Sequence, residues 1–244
     1  MKRRDLSLIL VTLMVLASLL AACSEPVAED LEEEVLESTE APTEAPTEAP
    51  TEAPTESVEE EPEGAAANVV VAQGVDPASL DPQVGESGPK INVLIHMLDT
   101  VFAINNDMEV VPQVAESWEV LNDNLTWRIK LREDVTFWNG EPLDAEAVKY
   151  TIDRTVDEDL KAQGLNDPFP SRVKLVNAEV VDDYTIDINT ETPQPLMPLR
   201  LTYLFILDPT HYESISFEEA SINPMGSGAF KFVEWIKDDH VTMV

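Results

Sequence analysis

The chain has 244 residues, with 48 acidic against 15 basic side chains, a formal net charge of −33 and a pI near 4.1. That balance excludes nucleic acid as a partner, because a phosphate backbone is met by a basic surface. A single cysteine excludes an internal disulfide and a thiolate metal cluster, while 43% hydrophobic residues suffice for a sizeable core.

The first predicted element is a leader. Lys2, Arg3 and Arg4 precede an apolar run from Leu6 to Ala22 that is broken only by Ser7, Thr12 and Ser18. The small residues Ala21 and Ala22 follow, then Cys23. A charged start, a short apolar stretch and small residues at its end are the layout of a secretory signal over residues 1–22. Leu20-Ala21-Ala22-Cys23 resembles the bacterial lipobox, which implies cleavage before Cys23 and lipidation of its thiol. A membrane-spanning helix is the alternative, but the run sits at the short limit of the roughly 17–25 residues that span a bilayer. No basic flank follows it.

Residues 23–66 read as a tether. Between Ser24 and Gly64 there are sixteen acidic residues and no lysine or arginine, and Ala41–Glu56 is four copies of Ala-Pro-Thr-Glu. Proline at every fourth position blocks helix and ladder. With almost nothing apolar to bury, ordering could not be offset, and like charges extend the chain to a reach on the order of 100 Å. The alternative, an acidic partner-binding tail, lacks interleaved aromatics.

Beyond the tether the pattern is mixed α and β. Asn68–Ala72 is a β-branched run and a strand candidate. Glu119–Arg132 predicts a hairpin: Asn122-Asp123-Asn124 supplies the turn, and Leu125, Trp127, Ile129 and Leu131 alternate with polar residues. Val135 and Phe137 continue the alternation, and Asn139-Gly140 turns the chain. Asp144 is a predicted N-cap for a helix placing Ala145, Val148, Ile152 and Val156 on one face. Tyr184, Ile186 and Ile188 predict a strand. Phe230, Phe232 and Trp235 predict a last one after Gly226-Ser227-Gly228.

These blocks carry a resemblance. Pro112, Val114-Ala115-Glu116-Ser117-Trp118, Leu131-Arg132, Phe137 and Gly140-Glu141-Pro142 stand in the order found in the family 5 extracellular solute-binding proteins. Ser79-Leu80-Asp81-Pro82, Val181-Asp182-Asp183-Tyr184-Thr185-Ile186 and Gly226-Ser227-Gly228-Ala229-Phe230-Lys231 are similar to further blocks. The resemblance implies an α/β (mixed α+β) fold of the class II periplasmic-binding-protein type. It implies an incomplete first lobe at residues 67–98 and 210–244, with an inserted smaller domain at 99–209. The family's pattern continues well past the Gly-x-Gly block, so the chain is expected to be a truncated product or a fragment without the opposing lobe.

By the same resemblance the chain is a lipid-anchored, extracytoplasmic substrate-binding subunit of an ABC importer, periplasmic or at the cell surface. It is a monomer that captures a peptide, or another small solute such as a dipeptide, a sugar or nickel, and meets permease subunits. The loop Gly85-Glu86-Ser87-Gly88 is implied as a ligand-binding wall whose main chain pairs with peptide, with Glu86 facing a basic side chain. Read from its residues alone, it is an exposed turn. Phe169, between Pro168 and Pro170, either lines the cleft or packs in a loop. Trp118, Trp127, Trp138 and Trp235 are sugar platforms or, by their strand spacing, core. No cofactor or metal is expected. Gly-x-Ser-x-Gly, His-Glu-x-x-His and a phosphate-binding glycine loop are all missing from the sequence, so no catalytic residue is assigned. Carboxylates alone leave open a cell-surface lipoprotein hydrolase.

Overall fold

A computed structural model describes residues 68–85 and 87–244. The leader 1–22, Cys23, the tether 23–66 and Glu86 lie outside the described residues.

The best-formed element is an antiparallel four-stranded sheet. It comprises β3 (Ala115–Leu121), β4 (Thr126–Leu131), β5 (Leu175–Asp182) and β6 (Thr185–Thr190), in the order β3-β4-β6-β5. A short two-stranded ribbon, β1 (Phe102–Ile104) with β2 (Val110–Pro112), precedes it. Strand alternation sets the faces. Trp127 and Ile129 of β4 stand opposite Ile188 and Ile186 of β6, and all four are buried. On the other face, Arg128 stands opposite Asp187 and donates to both of its carboxylate oxygens at 2.8 Å. Lys130 reaches Glu116 at 2.6 Å. Opposite charges placed across neighbouring strands fix the register that the apolar face requires.

One helix closes the apolar face. Asp144 accepts the Ala147 N–H at 3.0 Å and starts α2 (Ala145–Arg154), after a first helix α1 (Gly88–Leu94). Ala145, Val148 and Ile152 bury their side chains in the sheet's core. Val156, expected on the same face, instead lies beyond the helix and is 41% exposed. The helix stops at Arg154, whose side chain turns inward to an acid, and Asp157 then caps α3 (Glu158–Gln163). The helices α4 (Phe169–Val173) and α5 (Met197–Leu201) complete this part of the core through Phe169, Val173, Met197 and Leu201.

A second apolar cluster forms around Leu80, Leu94, Met97, Leu98, Phe205, Leu207 and Tyr212. The last described elements are α6 (Pro209–Ser214), α7 (Phe217–Ala220) and a final hairpin, β7 (Phe232–Ile236) with β8 (His240–Met243). Phe232 and Trp235 pack against this second cluster, while Phe230 stays 47% exposed. The Asn68–Ala72 strand is not formed. Val69, Val70 and Val71 are all more than 80% exposed and have no strand partner among the described residues. A β-branched run without a neighbour to pair and a surface to cover does not become a strand.

Gly226-Ser227-Gly228 lies flat along the backbone of His96–Leu98. Gly228 N donates to Met97 O at 2.9 Å, Trp138 N to Gly226 O at 3.0 Å, and Trp138 Nε1 to Gly228 O at 2.9 Å. Ser227 Oγ donates to Asp99, which also accepts from Gln113 Nε2. These bonds tie the second cluster to the start of the ribbon.

Candidate functional site

The Ser79–Gly85 segment is fixed by charge. Asp81 is fully buried and Arg154 is 5% exposed; Arg154 donates to both Asp81 oxygens, at 2.6 and 3.2 Å, and to Gln83 Oε1 at 2.7 Å. The Asp81 carboxylate also accepts the Gln83 N–H at 2.9 Å, and Gln83 Nε2 donates to Thr151 O at 2.7 Å. Arg154 lies 5.5 Å from the centroid of the Tyr212 ring. Burial beside Asp81 pushes the Tyr212 phenol well above its usual range, and burial also raises that of Tyr150. Each acceptor in this set holds the arginine in place, which offsets the desolvation of a buried ion pair.

From this anchor the chain turns through Gly85, which has φ +66°. Only glycine takes that conformation without strain. Lys90, 3% exposed on α1, reaches back and donates to the carbonyls of Asp81 at 3.1 Å, Pro82 and Val84 at 2.9 Å, and Gly85. Asn166 Oδ1 accepts the Gly85 N–H, and Asn166 N donates to Gln83 O at 3.2 Å. The loop is therefore held from both sides. Replacing Lys90 by methionine keeps the stem and removes the donors. Each carbonyl left without a partner costs on the order of 1–3 kcal/mol if it stays dry. The expected result is a destabilisation of about that size, with faster amide exchange at Gln83–Gly85. Unchanged exchange there would show that the ammonium is not what holds the loop.

The loop borders a cleft of about 450 Å³, within the usual range for small-molecule sites. Gly85, Ser87 and Gly88 line it together with Phe169, so the described site residues singled out in the sequence lie in one place. Phe169 borders the cleft and is 6% exposed, with its ring packed into the core. The Gly85 N–H is already given to Asn166. Strand-like pairing with a ligand would fall to Ser87 and Gly88, whose N–H groups have no partner among the described residues.

Several lining residues were not singled out in the sequence: Lys90, Arg172, Arg200 and Tyr203. Arg172 is only three residues from Phe169, but Arg200 and Tyr203 come from α5 and the segment after it, and no local pattern joins them to Gly85. Of the four tryptophans, none lines the cleft. Trp127 is core, Trp138 and Trp235 pack against the second cluster, and Trp118 stands edge-on to Phe102 at 5.1 Å. The histidines are equally remote: His211 meets Asn223 O at 3.0 Å, His240 lies beside Glu234 and Asp239, and His96 stands edge-on to Phe230. Among the described residues no group of acidic, histidine or cysteine side chains could hold a metal ion. No helix among them is long and apolar enough to cross a membrane.

The model of the bacterial extracellular solute-binding proteins, family 5 (Middle) matches residues 109–244. A glutathione-binding protein GsiB of Pectobacterium atrosepticum is 28% identical over 183 residues, covering 74% of this chain and 34% of that protein. A crystal structure of Haemophilus influenzae OppA in complex with RPPGFSPFR superposes with a TM-score of 0.62 and 26% identity, over 69% of this chain and 36% of that one. The crystal structure of a nickel ABC transporter from Bacillus halodurans superposes with a TM-score of 0.56 and 32% identity, over 70% and 33%. The chain spans about a third of the length of the curated relatives it matches.

Proposed function

Because the chain belongs to family 5 of the bacterial extracellular solute-binding proteins, we propose that it is the substrate-binding subunit of an ABC importer. In this reading it is held at the membrane through a lipidated Cys23 and takes up peptides at the wall formed by Gly85, Ser87, Gly88 and Phe169. The observation that carries the reading is the loop itself. A buried Asp81–Arg154 pair and the Lys90 ammonium hold its backbone rigid beside a cleft of peptide-binding size. A preorganised wall spares the ligand the entropy of ordering it. Main-chain recognition at Ser87 and Gly88 suits peptides of varied sequence, because every peptide offers the same backbone. The similarity to a glutathione-binding protein and to an oligopeptide-binding protein supports the peptide reading.

Residues 67–98 and 210–244 are then part of the first lobe and 99–209 the smaller inserted domain, with permease subunits as the partner. The protein acts as a binder rather than an enzyme, and works as a monomer. Equilibrium dialysis of the full chain against a pool of di- to pentapeptides, with the retained peptides eluted and sequenced, tests the binding. Retention of peptides and not of free nickel is expected. Retention of nickel alone, or of nothing, would sink the peptide reading. For the anchor, palmitate labelling of cells should mark the wild type and not Cys23→Ser; equal label in both would remove the lipid from the proposal.

A further inference from the structure

We propose that the outer edge of β3 is a docking site for a partner protein, which adds to the sheet an extended segment of alternating apolar and basic residues. None of the residues involved lines the cleft, and the site is independent of what the cleft binds.

The edge is open. β3 is the first strand in the order β3-β4-β6-β5, so one side of it meets no strand of its own sheet. In an antiparallel ladder, alternate N–H and C=O groups of an edge strand point away from its neighbour. From Ser117 to Val120 no other backbone segment takes them up among the described residues. The start of the strand is closed, because Ala115 N donates to Val101 O at 3.1 Å, and the bulge between Ala115 and Ser117 marks the boundary. An unpaired edge is a template for another chain unless it is blunted, and β3 carries neither proline nor lysine.

Apolar surface lies beside the open edge. Trp118 and Val120 stand opposite Ile129 and Trp127 and share their face, yet with no strand outside them they stay 44% and 38% exposed. Trp118 touches Phe102. Two residues further along β1 is Ile104, which pairs across the ribbon with Val110 and is exposed like it. At the ribbon's turn, exposed Met108 is held at φ +63°, a conformation that costs any residue but glycine. Tryptophan is among the commonest anchors of protein interfaces.

Charge decides the occupant. Val101–Trp127 holds five acids, Asp107, Glu109, Glu116, Glu119 and Asp123, and no lysine, arginine or histidine. Asp107, Glu109 and Asp123 are exposed and meet no basic side chain within ion-pair distance among the described residues. A second copy of this edge would bring acid against acid, and like charges on facing strands are destabilising. A strand that alternates apolar with basic residues covers Trp118 and Val120 on one face and meets Glu119 on the other.

Fluorescence anisotropy on the full chain, with the labelled peptide acetyl-Lys-Val-Lys-Val-Lys-Val-amide, tests this. The controls are acetyl-Glu-Val-Glu-Val-Glu-Val-amide and acetyl-Lys-Lys-Lys-Val-Val-Val-amide. The alternating basic peptide is expected to bind at least about tenfold more tightly than either control, and to slow amide exchange at Ser117–Leu121. Val120→Lys places a like charge on the edge and is expected to weaken that binding at least about tenfold, with exchange in β4 and β6 unchanged as the sign that it is folded. Glu109→Lys, on the exposed ribbon, is expected to weaken it about threefold without altering the strand. The acidic residues 24–64 also attract a basic peptide. Equal binding of the two lysine peptides, or binding that survives in Val120→Lys, would assign the attraction to bulk charge and overturn the site. Slowed exchange at Ser117–Leu121 that appears on raising the protein concentration alone would make the occupant a second copy, and overturns it equally.

Discussion

Asp81→Ala should destabilise the folded part by about 3–5 kcal/mol. Removing one partner of a buried ion pair leaves the other charged, dry and unpaired, and measured losses of this kind fall in that range. Here the orphan would be Arg154, 5% exposed, still bonded to Gln83 but without the Asp81 carboxylate that is its ion-pair partner. The Gln83 N–H would lose its acceptor as well. In urea unfolding followed by tryptophan emission the midpoint should fall with little change in slope, and the melting temperature should drop by roughly 6–20 °C for a domain of this size. Arg154→Met with Asp81→Leu should recover much of the loss, since a buried pair replaced by apolar groups of similar volume is often neutral. Arg132→Ala gives the contrast. Its pair with Asp134 is half in water, and exposed pairs contribute about 0–1 kcal/mol. A loss below about 1 kcal/mol for Asp81→Ala would mean that the pair is hydrated in solution and does not anchor the loop.

Gly226→Ala should be comparably damaging for a steric reason. A Cβ at Gly226 would fall inside the van der Waals radius of the Met97 carbonyl oxygen, and one at Gly228 would meet Met97 C at 2.6 Å. Both obstacles are backbone, so neither can swing aside. Three hydrogen bonds depend on the close approach, from Trp138 N, Trp138 Nε1 and Gly228 N. Overpacking in a fitted core costs about 1–3 kcal/mol and occasionally more; with a rigid neighbour the expected cost lies at or above the top of that range. Gly74→Ala, where nothing stands within 4 Å, should change stability by no more than about 0.5 kcal/mol. Equal effects at the two positions would show that the Gly226 segment moves away from Met97 in solution.

The sequence was most readable where one short-range rule acts alone. Period-two alternation located β4, because Trp127, Ile129 and Leu131 must face one way. Asp144 was legible as a cap because capping needs only a side-chain oxygen and an N–H three residues on. The glycines at 226 and 228 were visible as a break, although their reason, contact with Met97, was not. What stayed hidden acts across long separations. Asp81 and Arg154 are 73 residues apart, and the Lys90 ammonium serves carbonyls that carry no sequence signal of their own. Val69–Val71 misled for the converse reason: local preference favoured a strand, but pairing is a tertiary event and no partner stands there among the described residues. For the site, the Gly85–Gly88 loop and Phe169 came from the family resemblance, whereas Arg200 and Tyr203 are brought to it only by the fold.

Amide hydrogen exchange on the full chain, with and without a saturating peptide retained from the pool, tests the cleft most directly. Added protection is expected in Gln83–Ile91, around Phe169 and at Arg200–Phe205, with β5 and the β7–β8 hairpin unchanged. Protection confined to other segments, or none at all under conditions where dialysis shows the peptide bound, would place the binding surface elsewhere and contradict the reading of Gly85–Gly88 as its wall.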